Sequence, residues 1–171
     1  MPTNPPTNPI QPPNFIAQAG NSADSTIPNI AFYPSISLLD FQKISRIDKT
    51  HADERQIDVL KTALREVNHD LKKWRETLTK LTPAPSKLSE TKGDVYGEGT
   101  SAEHEKVSDY KTAVYALAKG KLTEKYRDYD TTKSGRYRSE TLEINADEYF
   151  QESREAIRRI IGKPRATIVL I

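Results

Sequence analysis

The side chains in this sequence that could do chemistry are three histidines, one pair of nearby aspartates and two dense runs of Arg and Lys. His51, His69 and His104 fall on different predicted elements or far apart, and none has the i, i+4 partner that a metal-binding helix uses. They are expected to be solvent-facing or capping residues. Asp128 and Asp130 have the types of a general acid and base, but such a pair works only where a buried cleft drives the two pKa values apart. Nothing around them in the sequence suggests a cleft, and they are read as a solvated loop. The glycines are scattered and form neither a dinucleotide fingerprint nor a phosphate-cradling loop. With no cysteine, thiol nucleophiles, disulfides and Cys-ligated metals are excluded. A non-enzymatic protein with no cofactor, metal or small-molecule ligand is expected.

The basic runs are more informative. Lys119, Lys121, Lys125, Arg127, Lys133, Arg136 and Arg138 stand against only Glu124, Asp128 and Asp130, with Tyr126, Tyr129 and Tyr137 interleaved. Basic residues mixed with aromatics suit a face at a subunit junction, where Arg and Tyr are enriched. They also suit a nucleic-acid backbone with stacked bases. A second run, Arg154, Arg158, Arg159, Lys163 and Arg165 against Glu152 and Glu155, immediately precedes the uncharged segment Ala166–Ile171. That segment is apolar and β-branched, reads as a strand, and has no convincing strand partner elsewhere in the chain. Addition to another subunit's sheet, or to another protein's, is one reading, self-packing the other.

The elements that position these residues emerge from apolar spacing. Seven of the 11 prolines lie in the first 30 residues, with Asp24 the one charge there, so residues 1–34 read as an extended arm near polyproline II. Ser37 caps a short helix carrying Leu38, Leu39, Phe41, Ile44 and Ile47. Thr50 caps the next. From Ala52 to Thr79, Ile57, Leu60, Leu64, Val67, Leu71, Trp74 and Leu78 recur at alternating steps of three and four, one face of a single long helix. Residues 81–99 read as a connection. A third helix runs from Ser101 to Tyr129, with Glu103, His104 and Glu105 in its first turn and Gly120 as a bend; its apolar residues cover more than one face, which makes it central. A fourth helix carries Leu142, Ala146, Tyr149, Phe150, Ala156, Ile157, Ile160 and Ile161 and stops at Gly162 and Pro164. The fold expected is all-α, an elongated bundle of about four helices over residues 35–162, with the arm at one end and the tail 163–171 at the other.

A chain of 171 residues has room for one domain with a real core, and its 35% apolar and 29% charged residues imply a thin one. The net charge of +2 calls for neither nucleic acid nor membrane, so any basic site is local. No apolar run approaches the roughly 20 residues of a membrane span, and the N-terminus has no signal-peptide pattern. Synthesis and use in the cytosol are expected, with no membrane partner.

From Phe32-Tyr33-Pro34 to the C-terminus the chain resembles the head completion proteins of P2-like tailed phages, the gpL type. The likeness rests on the long second helix, on Leu122-Thr123-Glu124-Lys125-Tyr126-Arg127-Asp128-Tyr129-Asp130, and on Gly162-Lys163-Pro164-Arg165 just before an apolar end. Tyr129 stands where the family pattern has a smaller turn residue. The resemblance implies a structural virion protein at the neck, assembled in the host cytoplasm. Such a protein binds the portal as a ring, a dodecamer by the portal's symmetry, near the packaged DNA, and docks the next neck or tail-completion protein. The portal-binding tail would be Lys163, Pro164, Arg165, Ile168, Val169, Leu170 and Ile171. The alternative is a basic helical DNA-binding or packaging protein.

Overall fold

A computed structural model describes residues 25–47, 52–130 and 135–163, and of 126–130 and 135–145 the backbone alone. Two short strands, β1 (Thr26–Ile27) and β2 (Ile36–Ser37), pair antiparallel and lead into helix α1 (Leu38–Ile44). Helices α2 (Asp53–Asp70) and α3 (Lys72–Leu78) come next. A second antiparallel pair, β3 (Val95–Tyr96) and β4 (Glu103–His104), precedes the long helices α4 (Glu105–Asp130) and α5 (Gly135–Ile161). The body is therefore mostly helical, with five helices and four two-residue strands among the described residues rather than about four helices alone.

Ser37 caps α1 as expected, its Oγ accepting from the Asp40 N–H at 3.0 Å. Thr50 lies outside the described residues, and the N-cap of α2 is Ala52, which makes no side-chain cap bond. The single helix expected over 52–79 is two. At Leu71 the backbone turns to φ −84°, ψ −5°, which closes α2 and opens α3. The apolar spacing cannot register this break because it continues unchanged through it. The N–H of Leu71 still donates to the Val67 carbonyl at 3.0 Å, and the Arg75 N–H to the Leu71 carbonyl at 2.9 Å. Leu60, Leu64, Val67 and Leu71 are buried, joined by Gln56, Val59 and Ala63, while Trp74 and Leu78 are only half-buried.

The connection after α3 is also more structured than its prolines and glycines suggested. Glu103 and His104, expected in the first turn of the third helix, form β4 instead, and α4 begins at Glu105. The reason is tertiary: Val95 pairs with His104 and Tyr96 with Glu103, and the Glu105 N–H donates to the Asp94 carbonyl at 2.8 Å. The His104 ring is buried rather than solvent-facing. Its Nε2 donates to the Thr91 carbonyl at 3.0 Å while Nδ1 accepts the Lys106 N–H at 3.2 Å, so the ring braces the loop against α4. His69 is exposed and His51 lies outside the described residues.

Helices α4 and α5 form an antiparallel hairpin: Asp109 meets Arg159, Ala113 meets Ser153 and Gly120 meets Phe150. About 39 Å long at 1.5 Å per residue, α4 is the central helix, with Tyr110, Ala113, Val114, Tyr115, Ala118 and Leu122 buried. Gly120 has a packing role. A Cβ there would lie 2.6 Å from the Phe150 ring, so the missing side chain admits that ring against the α4 backbone. Ser153, a buried hydroxyl in an apolar face, donates to the Ala113 carbonyl at 2.8 Å.

A closed polar ring joins the N-terminal strands to this body. Asn29 Nδ2 donates to Tyr110 Oη at 2.8 Å, Tyr110 Oη to Asn68 Oδ1 at 2.7 Å, and Asn68 Nδ2 to Asn29 Oδ1 at 2.9 Å. Tyr33 stacks on Tyr110 with centroids 4.7 Å apart and planes 8° from parallel. Ile27 and Tyr33, on the arm side of the boundary expected at residue 34, are thus buried in the core. Burial pushes the Tyr33 hydroxyl up to about 12, with the Arg75 charge opposing, and raises Tyr110 as well, by burial first.

This packing sets the cost of individual substitutions. Leu71 is fully buried, so Leu71→Ala should lower the unfolding free energy by about 2–5 kcal/mol in denaturant titration. Tyr110→Phe takes the donor from Asn68 Oδ1 and one of the two acceptors from Asn29 Nδ2, and should cost about 1–3 kcal/mol. Tyr33 Oη has no hydrogen-bond partner among the described residues, so Tyr33→Phe should change stability at neutral pH by less than about 1 kcal/mol. A tyrosine whose pKa is raised on folding contributes stability that is present below its unfolded value of 10.0 and lost as pH climbs towards about 12. The same variant should therefore flatten the loss of stability in that window.

Candidate assembly surface

The two basic runs are placed by the long hairpin. On α4, Lys119 Nζ stands over the Tyr149 ring of α5 at 4.4 Å, Lys121 pairs with Glu66 of α2 at 3.0 Å, and Lys125 reaches Asp58 of α2 at 3.5 Å. These contacts lie at the surface and add little energy each. The two ion pairs bridge α4 to α2, and all three contacts engage the lysines within their own chain. Arg127 lies on the α4 backbone and Arg136 and Arg138 on that of α5. Their side chains, and Lys133, lie outside the described residues, as do the side chains of Asp128 and Asp130. By its backbone Tyr129 is still helical.

The second run gathers at the C-terminal end of α5, where the helix's partial negative charge favours cations. Glu155, Arg158, Arg159 and Lys163 line a cavity of about 300 Å³. Arg159 Nε donates to Asp109 Oδ1 of α4 at 2.7 Å, which fixes one wall. The helix ends as the sequence indicated: Gly162 adopts φ +77°, the Gly162 N–H donates to the Arg159 carbonyl and the Lys163 N–H to the Arg158 carbonyl, both at 3.0 Å. This double closure is the Schellman arrangement. It turns the backbone out of the helix at the cavity, so the last described residue, Lys163, is both a cavity wall and the root of the C-terminal tail. Pro164, Arg165, Ile168, Val169, Leu170 and Ile171 lie outside the described residues.

Sequence reasoning did not find the Asp109–Arg159 and Glu66–Lys121 pairs, because each partner sits on a different helix. Among the described residues no cluster of three or more His, Asp or Glu side chains could hold a metal ion, and no helix is long and apolar enough to cross a membrane. The arrangement is one of packing surfaces and charged rims around a closed core, which is the equipment of an assembly component.

The comparisons with known proteins agree with that class. Residues 27–171 match the phage head completion protein (GPL) family. The head completion/stabilization protein of Escherichia phage P2 is 30% identical over 145 residues, 85% of this chain and 82% of the relative. No solved structure matches. The chain belongs to the phage head completion protein family, whose members are structural components of tailed-phage virions rather than enzymes.

Because only glycine reaches a positive φ without strain, Gly162→Ala should cost on the order of 1 kcal/mol. The loss should appear as faster amide exchange in the last turn of α5, ahead of any change in global melting.

Proposed function

We propose that this chain completes the DNA-filled head by binding the portal as a ring, a dodecamer, and that the ring presents the docking surface for the next neck or tail-completion protein. The observation that carries the reading is the family match from residue 27 to the last residue, through the Gly162-Lys163-Pro164-Arg165 segment. The portal anchor is the tail 163–171. Ile168, Val169, Leu170 and Ile171 supply main-chain and apolar contacts by strand addition, and Lys163, Arg165 and Arg159 supply charge that speeds docking and makes it salt-sensitive. Pro164 holds the exit from α5. Repetition around a ring multiplies a weak strand contact into firm attachment. The basic face on α4 and α5 lies at a subunit junction, near the packaged DNA in the channel. Engagement of Lys119, Lys121 and Lys125 within the chain favours this over a DNA-binding or packaging role.

Co-sedimentation with purified portal tests the reading. Alone, the protein should sediment as a monomer or loose oligomer, and with portal as part of a ring. Removing residues 166–171 should leave circular dichroism and melting nearly unchanged while abolishing attachment, and Lys163→Glu should weaken attachment more at low salt than at high. A truncated protein that unfolds would put the tail in the chain's own core and move the anchor elsewhere.

A further inference from the structure

Two shallow grooves of about 360 and 350 Å³ flank the edge-to-face contact of Phe32 with Trp74, whose centroids are 6.4 Å apart. The first is floored by Trp74, Leu78, Leu81 and Pro83 and edged by charged side chains such as Lys106, whose Nζ lies 5.9 Å over the Trp74 ring; the second is lined by Phe32 and Val107 among others, with Lys87 at its edge. Taken together they offer a trough with an apolar and aromatic floor and a charged edge, on either side of the Phe32–Trp74 contact. Leu81 within it is 54% exposed. Of the described side chains of the two basic runs, none lines it.

We propose that this trough binds the chain's own residues 6–12. The proline spacing fits it. Pro2-Thr3-Asn4-Pro5 is followed at once by the same tetrapeptide, Pro6-Thr7-Asn8-Pro9, and Pro12 continues the interval of three. Polyproline II has three residues per turn and a rise of about 3.1 Å, so Pro6, Pro9 and Pro12 share one edge about 19 Å long. Aromatic-lined grooves take such edges because the ligand is already extended and little entropy is lost on binding. The segment also carries no charge, which suits the aromatic and proline floor of the trough rather than its charged edge.

The distance is within reach. Ser25 is tied down by its carbonyl, which accepts the Leu38 N–H at 3.2 Å, and Ala31 at the second groove is six chain steps away. That stretch spans at most about 20 Å. A coil with the length of residues 14–24 has an r.m.s. end-to-end distance of about 17–20 Å. A connector matched to its span gives an effective concentration in the millimolar range, so even a weak proline contact is filled from the same chain. This contact stands apart from the head-completion reading and requires neither portal nor ring.

The 171-residue chain has no cysteine and one tryptophan, which makes it its own probe. A nitroxide on Thr7→Cys, off the proline edge, should erase the indole N–H resonance of Trp74, and reduction of the label should restore it. The loss should be unchanged on hundredfold dilution. In the same labelled chain, Pro6→Ala, Pro9→Ala and Pro12→Ala together, or Leu81→Glu alone at an exposed site, should return most of the intensity. Full intensity in the labelled parent overturns the proposal. So does a loss that fades on dilution, which means the arm enters another copy, and so does a loss that persists in both variants.

Discussion

The ring of Asn29, Tyr110 and Asn68 is the contact on which the arrangement of this fold turns. It joins three segments far apart in sequence: the β1–β2 hairpin, α2 and α4. Each member both donates and accepts, so a cluster of polar atoms in a largely buried place costs no unmet hydrogen bond. Asn29 also donates to the Pro34 carbonyl at 2.9 Å and accepts the Ile30 N–H at 2.8 Å, which shapes the hairpin tip. With the tip held, Tyr33 lies flat on Tyr110 and Phe32 meets Trp74. The Phe32 carbonyl then accepts the Leu88 N–H at 2.8 Å and anchors the long connection between α3 and α4.

The second half of the molecule is organised by a different device. Ala113 and Gly120 on α4 and Ser153 on α5 keep that interface thin, so the two helices approach closely where Ser153 bonds the Ala113 carbonyl and Phe150 meets Gly120. A chain with a modest apolar fraction gains cohesion this way, since dispersion depends on contact rather than on side-chain size. Charge then works at the rims. Lys121–Glu66 and Lys125–Asp58 bind α4 to α2, and Arg159–Asp109 binds α5 to α4. These pairs select a register more than they add stability.

For a head completion protein this division places a closed helical body between two termini with different chemistry. The C-terminal exit is basic and directed by the αL turn at Gly162; the N-terminal segment is uncharged apart from Asp24 and proline-rich. The family match begins at residue 27, so the proline-rich segment is a feature of this chain outside the matched region, whereas the body and the C-terminal segment fall within it.

What the amino-acid sequence by itself determined is whatever depends on neighbours a few residues away. The stripe from Ile57 to Leu71, the cap at Ser37, the stop at Gly162 and the central role of α4 were all legible, because helical spacing, capping and αL preference are local. The family was legible too, through short segments in the right order. Only the tertiary structure decided that the helix breaks at Leu71, that Glu103 and His104 pair as a strand instead of starting a helix, and that Gly120 seats Phe150. It also decided that His104 is a buried brace and that Asn29, Asn68 and Tyr110 form one ring. Nearly all of these depend on a partner from a distant part of the chain: β3 for β4, the Thr91 carbonyl for His104, Phe150 for Gly120. A polar residue that will be satisfied by such a partner reads, taken alone, as one that belongs in water.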